Sequence, residues 1–509
     1  MSLKENLGVM ELARENYWNS HPQSAKIKLR WRATTVRHCF HVLPGERILE
    51  IGAGSGLWTR HLASVLGKTN PITAAYFNER FSDSDWPELP GVTAVHVHDL
   101  NELPAGSFDY VVGTSIICHD QYPVNLKAIY RLLKPGGQIL FFENNVLNPQ
   151  VFLKTMVRPI GRMAGNAACQ VGMNKFEFLR IASHQGFVDI DVIPYDIVHI
   201  STPGWLIRSL QSVAFIFEQT PVVRDLCGTL YLWARKPGGS AKRAFMNLAT
   251  VPSLYKSVSF VVPCHNEEMN VGPLVDAILG YYGDYVHEIL IVNDNSCDRT
   301  AAVARELALA DNRVKLIDRS PPNGVGRALR DGYAAATGHY ILTMDSDFVQ
   351  IMPELRDLFE AIGEGYEGAI GSRFTHESVM VNYPFPKILC NRIFHLLVNI
   401  ALPCRVHDIS NNLKLFRSQI LKEIPIKEDH FAANAETGLK PIVSGYRIKE
   451  VPISWINRTI DMGTSSFKIL RVGPNYLLAL WDVIRSSREL ARRSGVRVAR
   501  ASAAGTNGR

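Results

Sequence analysis

Arg47-Ile-Leu-Glu-Ile-Gly-Ala-Gly-Ser-Gly56 is one of two stretches that decide the fold of this chain. It combines an apolar strand, a glycine turn and the start of a helix, and glycine lets the backbone turn tightly and approach a ligand. The second stretch, Ser257-Val-Ser-Phe-Val-Val-Pro-Cys-His-Asn-Glu267, is an apolar strand with a polar end, later completed by Asp345-Ser-Asp347. Two such beginnings more than 200 residues apart predict two domains with different chemistry.

Apolar strands alternate with helical stretches on both sides of a break in the pattern. The break is the polar, glycine-containing segment Lys236-Pro-Gly-Gly-Ser-Ala-Lys-Arg243. We therefore predict an α/β fold with two doubly wound domains, at 1–236 and 255–480. A linker is predicted at 237–254, and a basic tail with a disordered end at 481–509.

Hydrophobic periodicity places the individual elements. In the first domain it predicts strands near 46–51, 71–77, 92–97, 107–113, 137–143, 187–193 and 229–235, and helices near 57–66, 122–133 and 174–185. In the second it predicts strands near 258–262, 287–293, 313–318, 339–345, 367–372 and 446–453. The apolar insertion at 146–228 either caps a hydrophobic acceptor or packs into the core.

Composition is that of a globular protein, with 46% hydrophobic and 20% charged residues in a chain of 509. Residues 485–509 contain seven arginines and one glutamate, which contribute much of the net charge of +7. This tail suggests contact with anionic lipid or solubility, and no element argues for nucleic acid. The eight cysteines form no C-x-x-C pair, so we expect reduced thiols in a cytoplasmic protein.

Membrane contact is predicted to be peripheral. The N-terminus lacks a signal-peptide core, and no apolar run reaches about 18 residues, the length that a spanning helix needs. The run Ile388 to Leu402 mixes apolar residues with polar Asn391, Arg392 and His395. It either lies at a membrane interface beside a lipid acceptor or packs on the sheet.

The first glycine turn is followed by an ordered set of further segments. Asp99 ends a strand-like run, and then come Ser107-Phe-Asp-Tyr-Val-Val-Gly113 and Leu132-Leu-Lys-Pro-Gly-Gly-Gln-Ile-Leu140. In this order the segments resemble class I methyltransferases that use S-adenosylmethionine, over roughly residues 40–235. The resemblance implies a Rossmann-like fold. The cofactor-binding residues it implies are Glu50, Gly52, Gly54, Gly56 and Asp99.

The chain departs from that family at the end of the second strand. Family members carry there an acidic residue that binds the ribose hydroxyls, whereas this chain has Tyr76, with Glu79 three residues later. Losing such a carboxylate weakens binding by about 1–3 kcal/mol. Glu79 is the carboxylate that could reach back. His119 lies near the expected acceptor mouth, where it is either a general base or an ordinary loop histidine.

The second stretch continues through further polar strand ends. Glu288-Ile-Leu-Ile-Val-Asn-Asp-Asn-Ser296 is followed by the glycine turn Pro322-Asn-Gly-Val-Gly-Arg-Ala328, which suits an anion. Asp345 and Asp347 then follow an apolar strand. Two close carboxylates repel each other unless a cation lies between them, so this pair predicts Mg²⁺ or Mn²⁺ bound to a nucleotide diphosphate.

Later segments extend this order. They are Gly371-Ser-Arg373, Lys387-Ile-Leu-Cys-Asn-Arg392, Asp408-Ile-Ser-Asn-Asn-Leu-Lys-Leu-Phe-Arg417, and Val451-Pro-Ile-Ser-Trp-Ile-Asn-Arg458 leading to Gly463-Thr-Ser-Ser-Phe-Lys468. The whole set resembles glycosyltransferase family 2, and within it the dolichyl- and polyprenyl-phosphate sugar synthases, over about 256–470. The resemblance implies a GT-A-type fold, a nucleotide-diphosphate sugar as donor and a polyprenyl phosphate as acceptor.

The same resemblance implies roles for individual residues. Pro263, His265, Glu267 and Asp294 would border the nucleoside, with Gly326 in the anion-binding turn. Asp345 and Asp347 would hold the metal and the nucleotide. Phosphates of donor or acceptor would be bound by Arg373, Arg392, Arg458 and Lys468. The departures are Asn293-Asp-Asn-Ser296 for Asp-Asp-Gly-Ser, His265 for tyrosine and Val349 for glutamine.

These inferences together predict a bifunctional enzyme. It would transfer a sugar to a polyprenyl phosphate with inversion, and methylate a substrate of the same glycan or glycolipid pathway. A phosphate acceptor is already ionised and needs no general base. The alternative is a saccharide hydroxyl acceptor, with Glu436 as the base and the first domain as a non-catalytic binding module.

Overall fold

The computed structural model describes residues 3–81, 86–116, 122–156, 172–238, 244–375, 377–381, 383–456 and 469–493. The chain divides into two compact units, Met1–Lys242 and Arg243–Arg509. Within these described residues, each unit has a seven-stranded sheet and a hydrophobic core of its own. The predicted class, two α/β domains in one chain, is confirmed.

The described part of the N-terminal unit contains strands β1 (Ile48–Ile51), β2 (Ile72–Tyr76), β3 (Val92–His96), β4 (Phe108–Thr114), β5 (Leu133–Asn144), β6 (Val188–Tyr195) and β7 (Thr229–Arg235). Its helices are α1 (Leu3–Asn19), α2 (Pro22–Phe40), α3 (Thr59–Leu66), α4 (Tyr122–Leu132), α5 (Pro149–Met156), α6 (Lys175–His184) and α7 (Gly204–Gln219). Each predicted strand of this unit overlaps an observed strand within a few residues.

The strands of this sheet lie in the order β3-β2-β1-β4-β5-β7-β6. The neighbours from β3 to β5 are parallel, and β7 runs antiparallel to β5 and β6. All four residues of β1 are buried, as expected for a strand whose two faces are both covered. The strand order reverses beside β1, and open sheets of this kind bind ligands at the carboxyl ends of the strands near such a point.

Helices α1 and α2 precede the first strand and were not predicted. Helix α2 starts with Pro22 in its first turn, where proline fits because that turn needs no N–H donor. It buries Lys28, Arg32 and Thr35 together with its apolar residues. The buried face therefore lacks the apolar periodicity by which a sequence normally indicates an amphipathic helix.

The described part of the C-terminal unit contains strands β8 (Val258–Cys264), β9 (Val286–Asn293), β10 (Val314–Asp318), β11 (Tyr340–Thr343), β12 (Gly368–Ser372), β13 (Val379–Val381), β14 (Lys414–Arg417), β15 (Ile448–Pro452) and β16 (Ser454–Ile456). Its helices are α8 (Val271–Tyr282), α9 (Thr300–Ala310), α10 (Val325–Ala335), α11 (Arg356–Gly363), α12 (Phe385–Ala401), α13 (Ser418–Glu423), α14 (Ala433–Val443) and α15 (Ile469–Arg493).

The main sheet of this unit has the order β10-β9-β8-β11-β14-β12-β15, and β13 pairs with β16 in a small separate sheet. Strand β14 was not predicted. It is antiparallel to both β11 and β12 and lies between them. Because it has only four residues and follows a polar loop, the sequence pattern did not separate it from that loop.

Helix α15 crosses the boundary that was predicted at residue 480. Leu480 and Val483 are buried in the core of the C-terminal unit, at 5% and 0% exposure. The structure thus differs from the predicted tail at 481–509, since the first residues of that segment continue a helix that packs on the domain.

Gly326, near the start of α10, offers a test of the packing between α10 and the segment at 428–429. A Cβ at this position would clash with the carbonyl oxygen of Glu428. We expect Gly326→Ala to lower the free energy of unfolding by about 1–3 kcal/mol, as overpacking does. Gly272→Ala in α8 is the control, since nothing lies near its Cβ position. Urea unfolding of the full chain measures both, and equal stability would contradict the packing role.

Candidate functional sites

The first candidate site is the crevice at the carboxyl ends of β1 and β2. Gly52, Gly54 and Gly56 have φ angles of 72°, 57° and 78°, in the left-handed region that favours glycine. The N–H groups of Gly52 and Ala53 donate to the carbonyl oxygen of Ala75 at 2.8 and 2.9 Å. These bonds tie the predicted glycine loop to the end of β2.

Helix α1 places a buried carboxylate, Glu11, between the glycine loop and β2. One oxygen of Glu11 accepts from the N–H of Gly54 at 2.8 Å. The other accepts from the N–H groups of Phe77 and Asn78 at 3.1 and 2.9 Å. Burial raises the pKa of Glu11, although Arg14 and the three N–H donors oppose that shift.

A second carboxylate of α1, Glu15, lies directly on the glycine loop. Its two oxygens accept from the N–H of Ser55 at 3.1 Å and from the Ser55 hydroxyl at 3.0 Å. A Cβ on Gly54 would clash with Glu15. Glycine at this position therefore makes room for a side chain of the same chain. Sequence reasoning missed Glu11 and Glu15 because it did not predict α1.

Glu50, on β1, is the third carboxyl of this crevice. It is fully buried, and burial raises its pKa to about 7. Glu15 and Glu11 add to the rise, while Thr59 and Arg14 oppose it. A carboxyl with this pKa changes charge near neutral pH, which a surface glutamate does not.

The end of β2 holds an aromatic side chain where an acid was expected. Tyr76 is buried, and its ring centre lies 5.8 Å from that of Trp86 and 5.2 Å from that of His96. Glu79, three residues beyond, is exposed. Binding of the ribose by Glu79 stays a prediction.

Other predicted residues of this unit lie farther along the sheet edge. Asp99 follows β3, and its carboxylate accepts from the N–H of Asn101 at 2.8 Å. Asp109 forms an ion pair with Lys134 at 2.7 Å, which favours a structural role for it. His119 lies outside the described residues. The adenine contact of Asp99 stays a prediction.

The second candidate site lies at the carboxyl ends of β8, β9 and β11. His265 Nδ1 is 2.9 Å from the carbonyl oxygen of Asp294. The Asp294 carboxylate accepts from the N–H of Gly324 at 2.7 Å and forms an ion pair with Arg319. Asp294 thus connects the end of β9 to the glycine turn before α10. A nucleoside bound to Asp294, as predicted, would have to share this carboxylate with Gly324 and Arg319.

Two further residues of the predicted nucleoside site lie beside His265. Pro263 belongs to β8. Glu267 follows that strand, with its N–H donating to Thr300 Oγ1 at 2.8 Å and one oxygen accepting from Asn270 at 2.5 Å. The loop after β8 is therefore held by local hydrogen bonds at the edge where a ligand of an open sheet would bind.

Gly326 has a packing explanation in the structure. Its N–H donates to the carbonyl oxygen of Asp429 at 2.9 Å, and the N–H of Arg327 donates to the same oxygen at 3.3 Å. These amides at the start of α10 already have a partner within the protein. Their contacts favour packing over the anion binding that was predicted for Gly326.

Asp345 and Asp347 follow β11, and Asp345 accepts a hydrogen bond from Asn412 at 2.7 Å. No group of three or more His, Cys, Asp or Glu side chains is placed to hold a metal ion within the part of the chain that the structure describes. Mg²⁺ typically binds one or two carboxylates and takes its remaining ligands from water and substrate phosphates. Two aspartates alone therefore fit such an ion bound together with a diphosphate.

Arg373, at the end of β12, forms a buried pair with Asp408. Its Nε and Nη2 donate to the two oxygens of Asp408 at 2.6 and 3.1 Å, and Nη1 donates to the Tyr383 hydroxyl at 3.2 Å. Burial alone would raise the pKa of Asp408, but Arg373 holds it well below its usual range. The sequence predicted that Arg373 binds a phosphate but did not predict its pairing with Asp408. Because Asp408 neutralises part of the positive charge, less of it is available for a phosphate than expected.

Arg392, on α12, has a different environment. Its guanidinium carbon lies 4.1 Å from the ring centre of Phe374. It donates to the side chain of Asn391 at 2.7 Å and to the carbonyl oxygen of His407. Burial lowers the pKa of Arg392 to about 10. Among its described hydrogen-bond partners none is a carboxylate, so it suits the predicted phosphate better than Arg373.

Glu436, on α14, is fully buried. One oxygen accepts from the N–H groups of Lys427 and Glu428 at 2.9 and 2.7 Å, and the other forms an ion pair with Lys440. A general base must reach the proton that it removes. These contacts favour a structural role over the predicted catalytic one. Arg458 and Lys468 lie outside the described residues.

Sequence reasoning missed a buried lysine behind this site. Lys414 of β14 is fully buried, and its Nζ donates to the Asn434 carbonyl oxygen at 2.6 Å and to Thr437 Oγ1 at 2.8 Å. Burial lowers its pKa to about 7, although Asp408 and Asp345 oppose the shift. Because β14 was not predicted, no pattern indicated that this lysine faces the interior.

Helices α12 and α15 both expose apolar side chains, and they pack on each other through Phe394 and Tyr476, whose ring centres are 5.2 Å apart. The exposed residues, here called the apolar face, are at least 39% exposed: Leu389, Ile393, Leu396, Leu397, Ile400, Leu477, Leu478 and Trp481. Large exposed apolar patches mark interaction sites. A bilayer-crossing helix, long and apolar enough to span, is not found among the described helices.

Comparison with known proteins finds a family match within each unit. A methyltransferase-domain model matches residues 49–141, and the family 2 glycosyl transferase model matches residues 259–425. Polyprenol monophosphomannose synthase of Mycolicibacterium smegmatis is 28% identical over 254 residues, covering 48% of this chain and 94% of that protein. Dolichol-phosphate mannosyltransferase of Pyrococcus furiosus is 30% identical over 201 residues, covering 39% of this chain and 56% of that protein.

Among solved structures, a methyltransferase of Thermotoga maritima, described as a possible histamine N-methyltransferase, is 18% identical. It covers 44% of this chain and 94% of its own, with a TM-score of 0.31, and carries no functional conclusion. The family matches are sufficient without it. The family models find a methyltransferase domain within the N-terminal unit and a family 2 glycosyl transferase domain within the C-terminal unit, as the sequence predicted.

His395 provides a test of how α12 is held on the glycosyltransferase domain. It is buried, with Nδ1 2.8 Å from the Asn391 carbonyl oxygen and Nε2 2.9 Å from the N–H of Ile409. The first partner only accepts and the second only donates, so the ring is neutral. Burial lowers its pKa to about 4, from 6.5.

The unfolded chain therefore binds a proton between these pH values while the folded chain does not. We expect the free energy of unfolding to be unaffected by His395 above pH 6.5 and to fall below it, by up to about 1.4 kcal/mol per pH unit. His395→Gln keeps a donor and an acceptor but does not titrate. Urea unfolding at several pH values should show a weaker loss in this variant, and an identical loss would refute the neutral, buried state.

Proposed function

We propose that the C-terminal unit transfers a sugar from a nucleotide-diphosphate sugar to a polyprenyl phosphate, with inversion and with Mg²⁺ or Mn²⁺. We also propose that the N-terminal unit methylates a substrate of the same glycan or glycolipid pathway. The observation that carries the first proposal is the two-sided character of α12. Its outer side is apolar, and its inner side brings Arg392 to the strand ends.

The outer side of α12 suits a membrane surface. Ile393, Leu396 and Ile400 are 50%, 59% and 74% exposed. Burying such a side chain away from water stabilises by about 1.5–3 kcal/mol, so several together favour peripheral binding to a bilayer. The tail of a polyprenyl phosphate lies in the same bilayer, and the apolar face would rest beside it.

The inner side of α12 suits the phosphate of the same acceptor. Arg392 lies over Phe374, and Asn391 donates to Asp408 at 3.1 Å. A guanidinium without a carboxylate partner favours a phosphate, which it can bind with two parallel hydrogen bonds. One helix therefore combines the two properties of the acceptor, an apolar chain and an anionic head. The names of the two relatives, one a polyprenol monophosphomannose synthase and the other a dolichol-phosphate mannosyltransferase, support the same class of acceptor.

A phosphate acceptor, which needs no general base, agrees with the burial and hydrogen bonding of Glu436. A phosphate oxygen is ionised at neutral pH and attacks the sugar carbon directly, with no proton to remove. The burial of Glu436 and its three described partners disfavour a saccharide hydroxyl, which needs a base. One displacement at the sugar carbon inverts its configuration.

Asp345 and Asp347 would hold the metal ion on the donor side. When bound, Mg²⁺ or Mn²⁺ neutralises the diphosphate that leaves. Asn412 orients Asp345 through its 2.7 Å hydrogen bond. Pro263, His265, Glu267 and Asp294 would border the nucleoside at the neighbouring strand ends.

In the N-terminal unit the left-handed glycine loop and the carboxyl ends of β1 to β3 would bind S-adenosylmethionine, which supplies the methyl group. Gly52, Gly54 and Gly56 shape the loop, and Glu50 and Asp99 lie at the strand ends. The proposal that the methyl acceptor belongs to the same glycan pathway is supported by the presence of both domains in one chain.

The first experiment is sugar transfer to a short polyprenyl phosphate from a panel of GDP- and UDP-sugars with Mn²⁺. We expect a lipid-linked product whose rate falls by roughly 10²–10³ in Asp347→Ala, as happens when a key charge stabiliser is removed. Asp276→Ala, an exposed aspartate on α8, is the control. A product formed only with saccharide acceptors would overturn the proposed acceptor.

A second experiment measures binding to vesicles of phosphatidylcholine and phosphatidylglycerol by sedimentation. Ile400→Glu should weaken binding roughly tenfold or more, because it puts a charge into the apolar face. Leu309→Glu is the matched control, since Leu309 is 89% exposed on α9, outside that face. Equal loss in both variants, or none in either, would contradict a membrane role for the apolar face.

A further inference from the structure

The methyltransferase crevice concentrates buried acidic groups. Glu11 and Glu15 of α1 and Glu50 of β1 are 0%, 3% and 0% exposed. Among the residues that the structure describes, Arg14 forms an ion pair with one of these carboxylates, with its nearest nitrogen 3.9 Å from Glu15, and it also donates to the Thr114 carbonyl oxygen at 3.2 Å. One weakly placed guanidinium does not balance three carboxyls in a dry environment.

Glu50 adds an independent observation that points to a ligand. Neither of its carboxyl oxygens has a hydrogen-bond partner among the described residues. The hydroxyl of Thr59 is near enough to lower its pKa, but neither group reaches hydrogen-bonding geometry. A buried polar group without a partner is costly and calls for an explanation, and a bound ligand that completes it is one such explanation.

We propose that helix α1 completes the cofactor site, and that Glu11 and Glu15 together with Glu50 bind the positively charged methionine end of S-adenosylmethionine. The proposal rests on the methyltransferase function of this unit. That end carries an ammonium, a sulfonium and one carboxylate, so its net charge is positive. A cation placed between close carboxylates removes their mutual repulsion.

The hydrogen bonds of α1 agree with this role. Glu11 joins Gly54 to Phe77 and Asn78, and Glu15 joins α1 to Ser55. Each carboxylate has about four acceptor positions, so these bonds leave capacity for an ammonium group. Helix α1 and the glycine loop form one wall, which supplies negative charge although β2 ends in a tyrosine.

This arrangement has a consequence for ligand preference. S-adenosylhomocysteine, the product, lacks the sulfonium charge, and methylthioadenosine lacks the whole amino-acid end. The acidic wall should therefore favour the charged cofactor over its product, which assists turnover. The three ligands carry different charged groups at this end, a sulfonium with the amino acid, the amino acid alone, or neither. They share the adenosine part, so they separate binding by α1 from binding by the rest of the crevice.

The test is calorimetric titration of the full chain with these three ligands. In Glu15→Gln we expect S-adenosylmethionine affinity to fall roughly tenfold or more, the size of a charge-assisted hydrogen bond. S-adenosylhomocysteine should lose less, and methylthioadenosine should stay within about twofold. Glu11→Gln should show the same order of effects. The control is Asp189→Asn, a 67% exposed partner of Arg235 at the far end of β7.

The outcomes are distinguishable. Equal loss for the three ligands would mean that the variant perturbs only the fold, and tighter binding would mean that α1 blocks the crevice; either overturns the proposal. The unmodified chain could bind methylthioadenosine yet show no preference for the charged cofactor. In that case α1 does not bind the methionine end, but the crevice is still a cofactor site. If the chain binds none of the three ligands, both the role of α1 and the proposed methyltransferase function are wrong.

Discussion

Asp408 holds together three segments of the glycosyltransferase domain. Its carboxylate binds Arg373 at the end of β12 and Asn391 on α12, and its own N–H donates to Glu450 at 2.8 Å. Removing one partner of a buried ion pair typically costs about 3–5 kcal/mol. Because Asp408 begins the loop that carries Asn412 to Asp345, the position of the donor-side carboxylate depends on this ion pair.

The methyltransferase domain depends on comparable contacts, in which buried carboxylates accept hydrogen bonds from backbone N–H groups instead of pairing with an arginine. Glu11 and Glu15 use carboxylates to hold backbone N–H groups of the glycine loop and of β2. In both domains a buried acid from outside the sheet organises the strand ends. Several donors offset the cost of burying Glu11 and Glu15, and those donors are backbone N–H groups of loops that no strand pairing would fix.

Much of the architecture was accessible from the sequence because apolar strands and glycine turns are local signals. The strands β1 to β4 and β8 to β12 were predicted within a few residues, and the glycine loop after β1 was correctly recognised. Elements that bury polar side chains were missed. Helix α2 buries Lys28 and Arg32, and β14 buries Lys414, so neither shows the apolar pattern on which the predictions rested.

The sequence by itself determined the two domain types and the order of their motifs, since these follow from residues close together along the chain. Only the tertiary structure decided which charges remain available for ligands. Arg373 is paired with Asp408, Glu436 with Lys440, and Arg392 has no carboxylate among its described partners. The physical reason is that the strength of a charge depends on its partners and on burial. The burial of these groups, and the pairing of Arg373 with Asp408 from 35 residues away, arise only in the folded chain.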